Sequence, residues 1–279
     1  DEGVDVKVPR YGSGRVVPVF FDKHLADNWT DAKAIYDTAR ELKIPLMAGS
    51  SLPVLWRYPP IDVERGAELE EIVAVSYHRL DAYGFHALEM VQSLAERRQG
   101  GETGVKSVQC LVGPAVWEAE KEGLYSRELL DAALSRLKDR PLPKGKRVED
   151  LARNPVLFTI HYEHALTAHV FTLNGAVAEW AAAWRSSRES TIQATTFWTQ
   201  EARPYHHFNY LLRGVERMMQ TGRPTWPVER TLLTSGLLDA LLISKRDGSR
   251  LVETPHLKIR YQSDWDWQQP PPPPSGRPS

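Results

Sequence analysis

The segment 16–51 restricts this chain more than any other. A β-prone run, Val16-Val17-Pro18-Val19-Phe20-Phe21, leads through Asp22, Lys23 and His24 into a helical stretch. Asn28 or Thr30 can cap that helix, and Ala34, Ile35, Thr38, Ala39 and Leu42 recur on one of its faces. A second apolar run, 44–48, closes at Gly49-Ser50-Ser51. Strand, helix, strand at this spacing is a βαβ unit, with parallel pairing and a right-handed crossover. Parallel sheets are buried on both faces, so a lone βαβ has to be the edge or the remnant of something larger. The Gly12-Ser13-Gly14 run before it is no dinucleotide fingerprint, which needs a preceding strand, a third glycine and a following helix.

After residue 69 the pattern changes. Strands are expected at 72–77 and 105–112, with an amphipathic helix over 85–97 stopped by Gly100-Gly101. Residues 114–153 read as helical and polar. Four strands then follow at 156–162, 168–173, 177–184 and 191–198, with Asn174-Gly175 as a hairpin turn. Helices over 205–220 and 228–245 and a short last strand at 257–261 complete the domain. This order predicts an α/β (α+β) chain: a βαβ unit, then a mostly antiparallel open sheet with helices on one face. The uninterrupted prolines 270–274 predict a solvated, disordered tail over 263–279.

Composition narrows the function classes. With 279 residues the chain is long enough for about two domains. Its 35 Lys+Arg against 36 Asp+Glu leave a net charge of −1, so there is no basic stripe for nucleic acid. A single cysteine, Cys110, excludes an intrachain disulfide framework and a multi-cysteine metal site. No apolar run approaches the ~20 residues of a membrane span, and no signal-like segment opens the chain. The expectation is a cytoplasmic protein without a membrane partner.

Three places carry candidate chemistry. Asp22-Lys23-His24 lies at the carboxyl end of a parallel strand, where ligands gather in open α/β sheets. A lysine there can orient a substrate oxygen, although a solvated turn accounts for the same residues. His86, at a helix start, is disfavoured as a cation by the helix dipole, and Glu89 three residues on shares its face. Packing alone explains that pair equally well. His161, Glu163, His164 and His169 scatter over two strand faces, and the adjacent His206 and His207 diverge on a helix, so no metal site is expected.

In this order the motifs resemble the glucose–fructose oxidoreductase / inositol dehydrogenase (Gfo/Idh/MocA) family. Lys23 and Gly49 keep the spacing of the family's strand-end lysine and closing glycine. Arg57-Tyr58-Pro59-Pro60 is similar to its Arg-Phe-x-Pro segment, and Gly84-x-His86-x-x-Glu89 to its Asp-x-Gly-x-His-x-x-Asp motif. The segment 208–244 is similar to the closing helices. The resemblance divides the chain into a partial Rossmann-like dinucleotide-binding remnant (1–60), a C-terminal sheet domain (61–262) and the tail (263–279). It implies hydride transfer between NAD or NADP and a hydroxyl of a sugar or polyol. Lys23, His86 and Asp81 would then be catalytic; His24, Arg57, Tyr83 and Glu89 would bind substrate; Asp22, Lys23 and Ser50 would approach the cofactor. It also implies a homo-oligomer formed through the C-terminal sheet.

Departures from the family are specific. The proline after the lysine is His24, and the aspartate four positions before the histidine falls on Ala82, with Asp81 one position off. The family's first four strands and Gly-rich phosphate loop have no counterpart, so Asp1 is expected to be a cut edge and this chain inactive by itself. The competing expectation is a non-catalytic relative that binds carbohydrate or assembles through its sheet, with Trp180, Trp184 and Trp198 as its aromatic surface.

Overall fold

A computed structural model describes residues 10–187, 189–200 and 203–273. The βαβ unit forms as the pattern predicts: β1 (Val19–Asp22), α1 (Trp29–Glu41) and β2 (Leu46–Gly49), with β1 and β2 parallel. Asn28 is the cap, its side chain accepting from the Asp31 amide. Both faces of this two-stranded sheet are covered within the chain. Leu46 and Ala48 pack with α1 and with Leu232 of α7 (Glu229–Arg246), whereas Met47 packs with Leu211 and Met218 of α6 (His207–Thr221) and with Trp226. The helices from the end of the chain thus complete the sheet from its beginning.

The second sheet has eight strands. They are β3 (Trp56–Tyr58), β4 (Leu69–Ser76), β5 (Val105–Val112), β6 (Val156–Tyr162), β7 (Thr167–Thr172), β8 (Trp180–Ser186), β9 (Glu189–Trp198) and β10 (Val252–Glu253). The order is β10-β5-β6-β7-β4-β8-β9-β3. All pairings are antiparallel except β4 with β7. Residues alternate across β4: Ile72 and Ala74 face a core shared with α2 (Phe85–Ala95) and α7, while Val73 and Val75 face the other way. Glu96 and Arg230 form a buried ion pair linking the end of α2 to α7, with Nε to Oε2 at 2.8 Å.

Four expectations change. Helices cover both faces of the sheet: α3 (Ala115–Lys121), α4 (Arg127–Leu134) and α5 (Val148–Leu151) lie over Val73, Val75, Phe171 and Ala183. The polar look of 114–153 comes from their outward faces, while Leu129, Leu130 and Ala133 are fully buried. Asn174-Gly175 is not a hairpin turn, because β4 lies between β7 and β8 and pairs with both. The last strand lies at 252–253, not 257–261, because Pro255 starts a 3-10 turn that leaves Tyr261 only an isolated bridge to Glu102. Finally, residues 263–273 pack against the protein instead of standing free in solvent. Trp56 Nε1 donates to the Pro271 carbonyl at 2.7 Å, Trp267 Nε1 to the Leu55 carbonyl at 2.7 Å, and the Arg57 amide to Gln269 Oε1 at 3.0 Å. The rest of the tail, 274–279, lies outside the described residues, as do residues 1–9.

β3, in the 1–60 division, is the edge strand of the large sheet. No helix among the described residues is long and apolar enough to cross a membrane.

Candidate functional site

Where β1 and β2 end, the chain turns sharply beside the large sheet. Lys23 has φ of +80°, and its amide donates to the Gly49 carbonyl at 3.3 Å. Gly49 has φ of +125°, and a Cβ there would stand 2.5 Å from Oε2 of Glu89, so only glycine lets the backbone pass this carboxylate. Ser50 and Ser51 follow, and a 3-10 turn (Leu52–Val54) carries the chain to β3.

His86 approaches the same place from the second sheet. A π-helical turn, Leu80–Gly84, leads into α2 and sets its first residues against the end of β8. Nδ1 of His86 lies 2.7 Å from Ser50 Oγ, which also accepts from the Leu52 amide at 3.1 Å. Burial first, then the positive charge of Lys23 and the imidazoles of His24 and His207, lower the His86 pKa to about 4. At neutral pH the ring is therefore uncharged. With Nδ1 held by Ser50, Nε2 is the nitrogen left for a ligand.

A cavity of about 340 Å³ brings together Asp22, Lys23, Ser50, Tyr83, His86 and Trp180. The Tyr83 and Trp180 rings stack with centroids 5.4 Å apart and 15° between planes. Ala82 lines the same cavity. Four of the residues expected there lie elsewhere. Asp81 borders a different depression, half-exposed and paired with Arg79. The turn before α2 puts Ala82, four positions before His86, on the cavity side and swings the neighbouring Asp81 away. Arg57 is fully buried, bonded to Asp62 and held between the Phe197 and Trp267 rings at 4.6 and 4.3 Å. Glu89 is buried behind the turn, accepting from Thr234, Thr231 and the Ser50 amide at 2.7, 3.0 and 3.3 Å. His24 stands edge-on to Phe85 with Nε2 3.9 Å from Asp27. Glu89 is thus a brace for the Ser50 turn, and Arg57 a clamp for the edge of the sheet.

Sequence reading missed the far wall. Tyr205, His207, Phe208 and Leu211 line the cavity from the start of α6. The divergence of the two adjacent histidines was the available signal. His207 is buried, with Nδ1 2.9 Å from the Gln200 carbonyl, whereas His206 meets the Asn209 side chain.

Among the described residues no three of His, Cys, Asp and Glu come together as metal ligands. A dinucleotide diphosphate would need free amides at a helix N-terminus. At α1 the Asp31 amide is taken by the Asn28 side chain at 2.9 Å and the Trp29 amide by the Asp239 carboxylate at 2.9 Å, which stands where a phosphate would sit. The N-terminus of α1 does not fit that part of a dinucleotide.

A short parallel sheet, a large mostly antiparallel sheet and helices match a Gfo/Idh-like fold. The chain is similar to GenD2 from gentamicin A biosynthesis, solved in complex with NAD, at 12% identity and a TM-score of 0.55, over 85% of this chain and 71% of that one. It is also similar to a myo-inositol dehydrogenase from Corynebacterium glutamicum, at 11% identity and a TM-score of 0.51, over 87% of this chain and 74% of that one. No family model and no curated protein matches the sequence. At these identities the likeness is one of fold.

Proposed function

We propose that this chain is an oxidoreductase-like protein of the Gfo/Idh/MocA type, whose cavity holds a sugar or polyol hydroxyl between Lys23 and His86. The observation that carries this reading is the convergence of these two side chains, one from the end of β1 and one from the start of α2, on one cavity with Ser50 bonded to the imidazole. When Nδ1–H donates to Ser50, Nε2 has a free lone pair and can accept the hydroxyl proton. The Lys23 ammonium, exposed at the end of β1, stabilises the oxygen from which that proton leaves. Trp180 lines the cavity and its ring suits the apolar C–H face of a sugar, while Tyr83, stacked on both Trp180 and His78, holds it in place. We assign no step to NAD or NADP, since the start of α1, which follows the parallel strand β1, offers its diphosphate neither the Trp29 nor the Asp31 amide.

A second reading is a carbohydrate-binding relative without dehydrogenase chemistry. Ala82 favours it, because the cavity wall has a methyl group where the resemblance implies a carboxylate.

Two fluorescence titrations separate the readings. Trp180 makes the cavity report on myo-inositol and a panel of sugars, and nicotinamide emission reports on NADH or NADPH. Saturable responses to both, each weakened by Lys23→Ala, support the oxidoreductase. A sugar response without a nicotinamide response supports the binding relative, and no response to either refutes both.

A further inference from the structure

A second cavity, of about 1130 Å³, lies apart from the site just described. Its walls are α6, the connection from α6 to α7, and the packed tail around Asp264–Gln268. Arg213, Arg217 and Arg223 line it, all three exposed and without a carboxylate within ion-pair distance among the described residues. Of the two carboxylates on the wall, Asp266 is already committed to Arg65 and Arg97, at 2.7 Å each. Asp264 is the single acidic group left to face three guanidiniums.

The placement is costly for the helix alone. Arg213 and Arg217 are one turn apart on the same face of α6, a like-charge spacing that destabilises a helix. Neither is in the last turn, where the helix dipole would favour a cation. Arg213 also lies over the Tyr210 ring at 5.1 Å, which holds it on the cavity side.

The surface behind the arginines is rigid. Trp226 is buried, its Nε1 donating to the Ala48 carbonyl at 3.0 Å. Gly214 lets the ring touch the α6 backbone, since a Cβ there would lie 2.3 Å from it. Thr225 Oγ1 then ties the connection to the Gly214 carbonyl at 2.7 Å. A fixed floor under three unpaired, fork-shaped donors is a suitable receptor for an oxyanion with several oxygens.

We propose that this cavity binds a diphosphate group, with Arg213, Arg217 and Arg223 as its ligands. Inorganic diphosphate and the diphosphate of a nucleotide share this chemistry, and they are distinguished by titrating pyrophosphate and ADP separately by calorimetry on the full chain. At low salt, pyrophosphate binds saturably, and Arg213→Ala with Arg217→Ala weakens it by about tenfold or more. Raised NaCl weakens it as well. Arg213→Lys with Arg217→Lys, which keeps the charge and loses the fork, gives an intermediate loss. Tighter binding of ADP identifies a nucleotide as the source, and equal binding identifies the inorganic anion. Absence of saturation by either, or binding unchanged in the alanine pair with its fold intact by circular dichroism, overturns the proposal. Sugar binding next to Trp180 is unaffected by these variants, so the two sites succeed or fail separately.

Discussion

Ser50 Oγ stands 2.7 Å from Nδ1 of His86, a contact between the turn after the parallel sheet and the first helix of the large one. Because the imidazole sits in this joint uncharged, acid attacks the joint. The His86 pKa falls from 6.5 to about 4, and that of the buried His169 to about 3, mainly through burial. The unfolded chain therefore binds these protons first, so stability is full above about pH 6.5 and is lost as pH falls toward 4 and then 3. Urea midpoints measured from pH 7.5 down to 4.5 should decline. His86→Asn should remove part of the decline, worth about 2 kcal/mol at the acid end. A midpoint that does not move with pH would contradict this account.

Asp81 and Ala82 make opposite predictions despite being adjacent. Asp81 is paired with Arg79 outside the cavity, so Asp81→Asn should leave sugar affinity within about twofold and cost less than about 0.5 kcal/mol of stability. Ala82→Asp puts a carboxylate on the cavity wall beside His86 and should raise the His86 pKa, measurable by NMR titration of the ring. An unchanged titration would mean that residue 82 does not face the imidazole.

Gly49→Ala should be among the most damaging single substitutions. The new Cβ would meet Glu89 Oε2 at 2.5 Å and Thr231 Oγ1 at 2.9 Å, at a φ of +125° that L residues avoid. A loss of about 3 kcal/mol is expected by thermal or chemical unfolding. Because Glu89 braces the Ser50 amide, sugar binding should weaken as well, even under conditions where the variant is folded.

Trp267→Ala tests the packed tail. It removes a ring 4.3 Å from the buried Arg57 guanidinium and the 2.7 Å bond to the Leu55 carbonyl. The expected cost is about 2–3 kcal/mol by urea denaturation. Sedimentation at rising concentration should show more self-association, because the freed tail uncovers the outer edge of β3. A variant as stable and as monodisperse as the parent would show that the tail contributes nothing.

Local patterns carried much of this fold, and contacts distant in sequence account for what they left out. The runs at 105–112 and 156–162 are β-rich and bounded by turn residues, and both become strands with those limits. Lys23 and His86 were visible because each stands at the end of a clear element. The π-helical turn that separates Asp81 from Ala82 has no signature in residue type. The roles of Glu89 and Arg57 depend on partners such as Thr234 and Trp267, far along the chain, so both looked like site residues. The prolines of the tail pointed to a solvated segment, whereas Trp267, Gln269 and the Pro271 carbonyl bond it to the edge of the sheet.

The tail contacts also impose an order of events on biosynthesis. The Arg57 amide and the Leu55 carbonyl find their partners 212 residues later. While the ribosome is still adding the sheet and the last two helices, that edge of the chain stays open to any neighbouring nascent strand. Only the arrival of residues 267–271 seals it, so a ribosome that stalls before them would release a chain with one adhesive border.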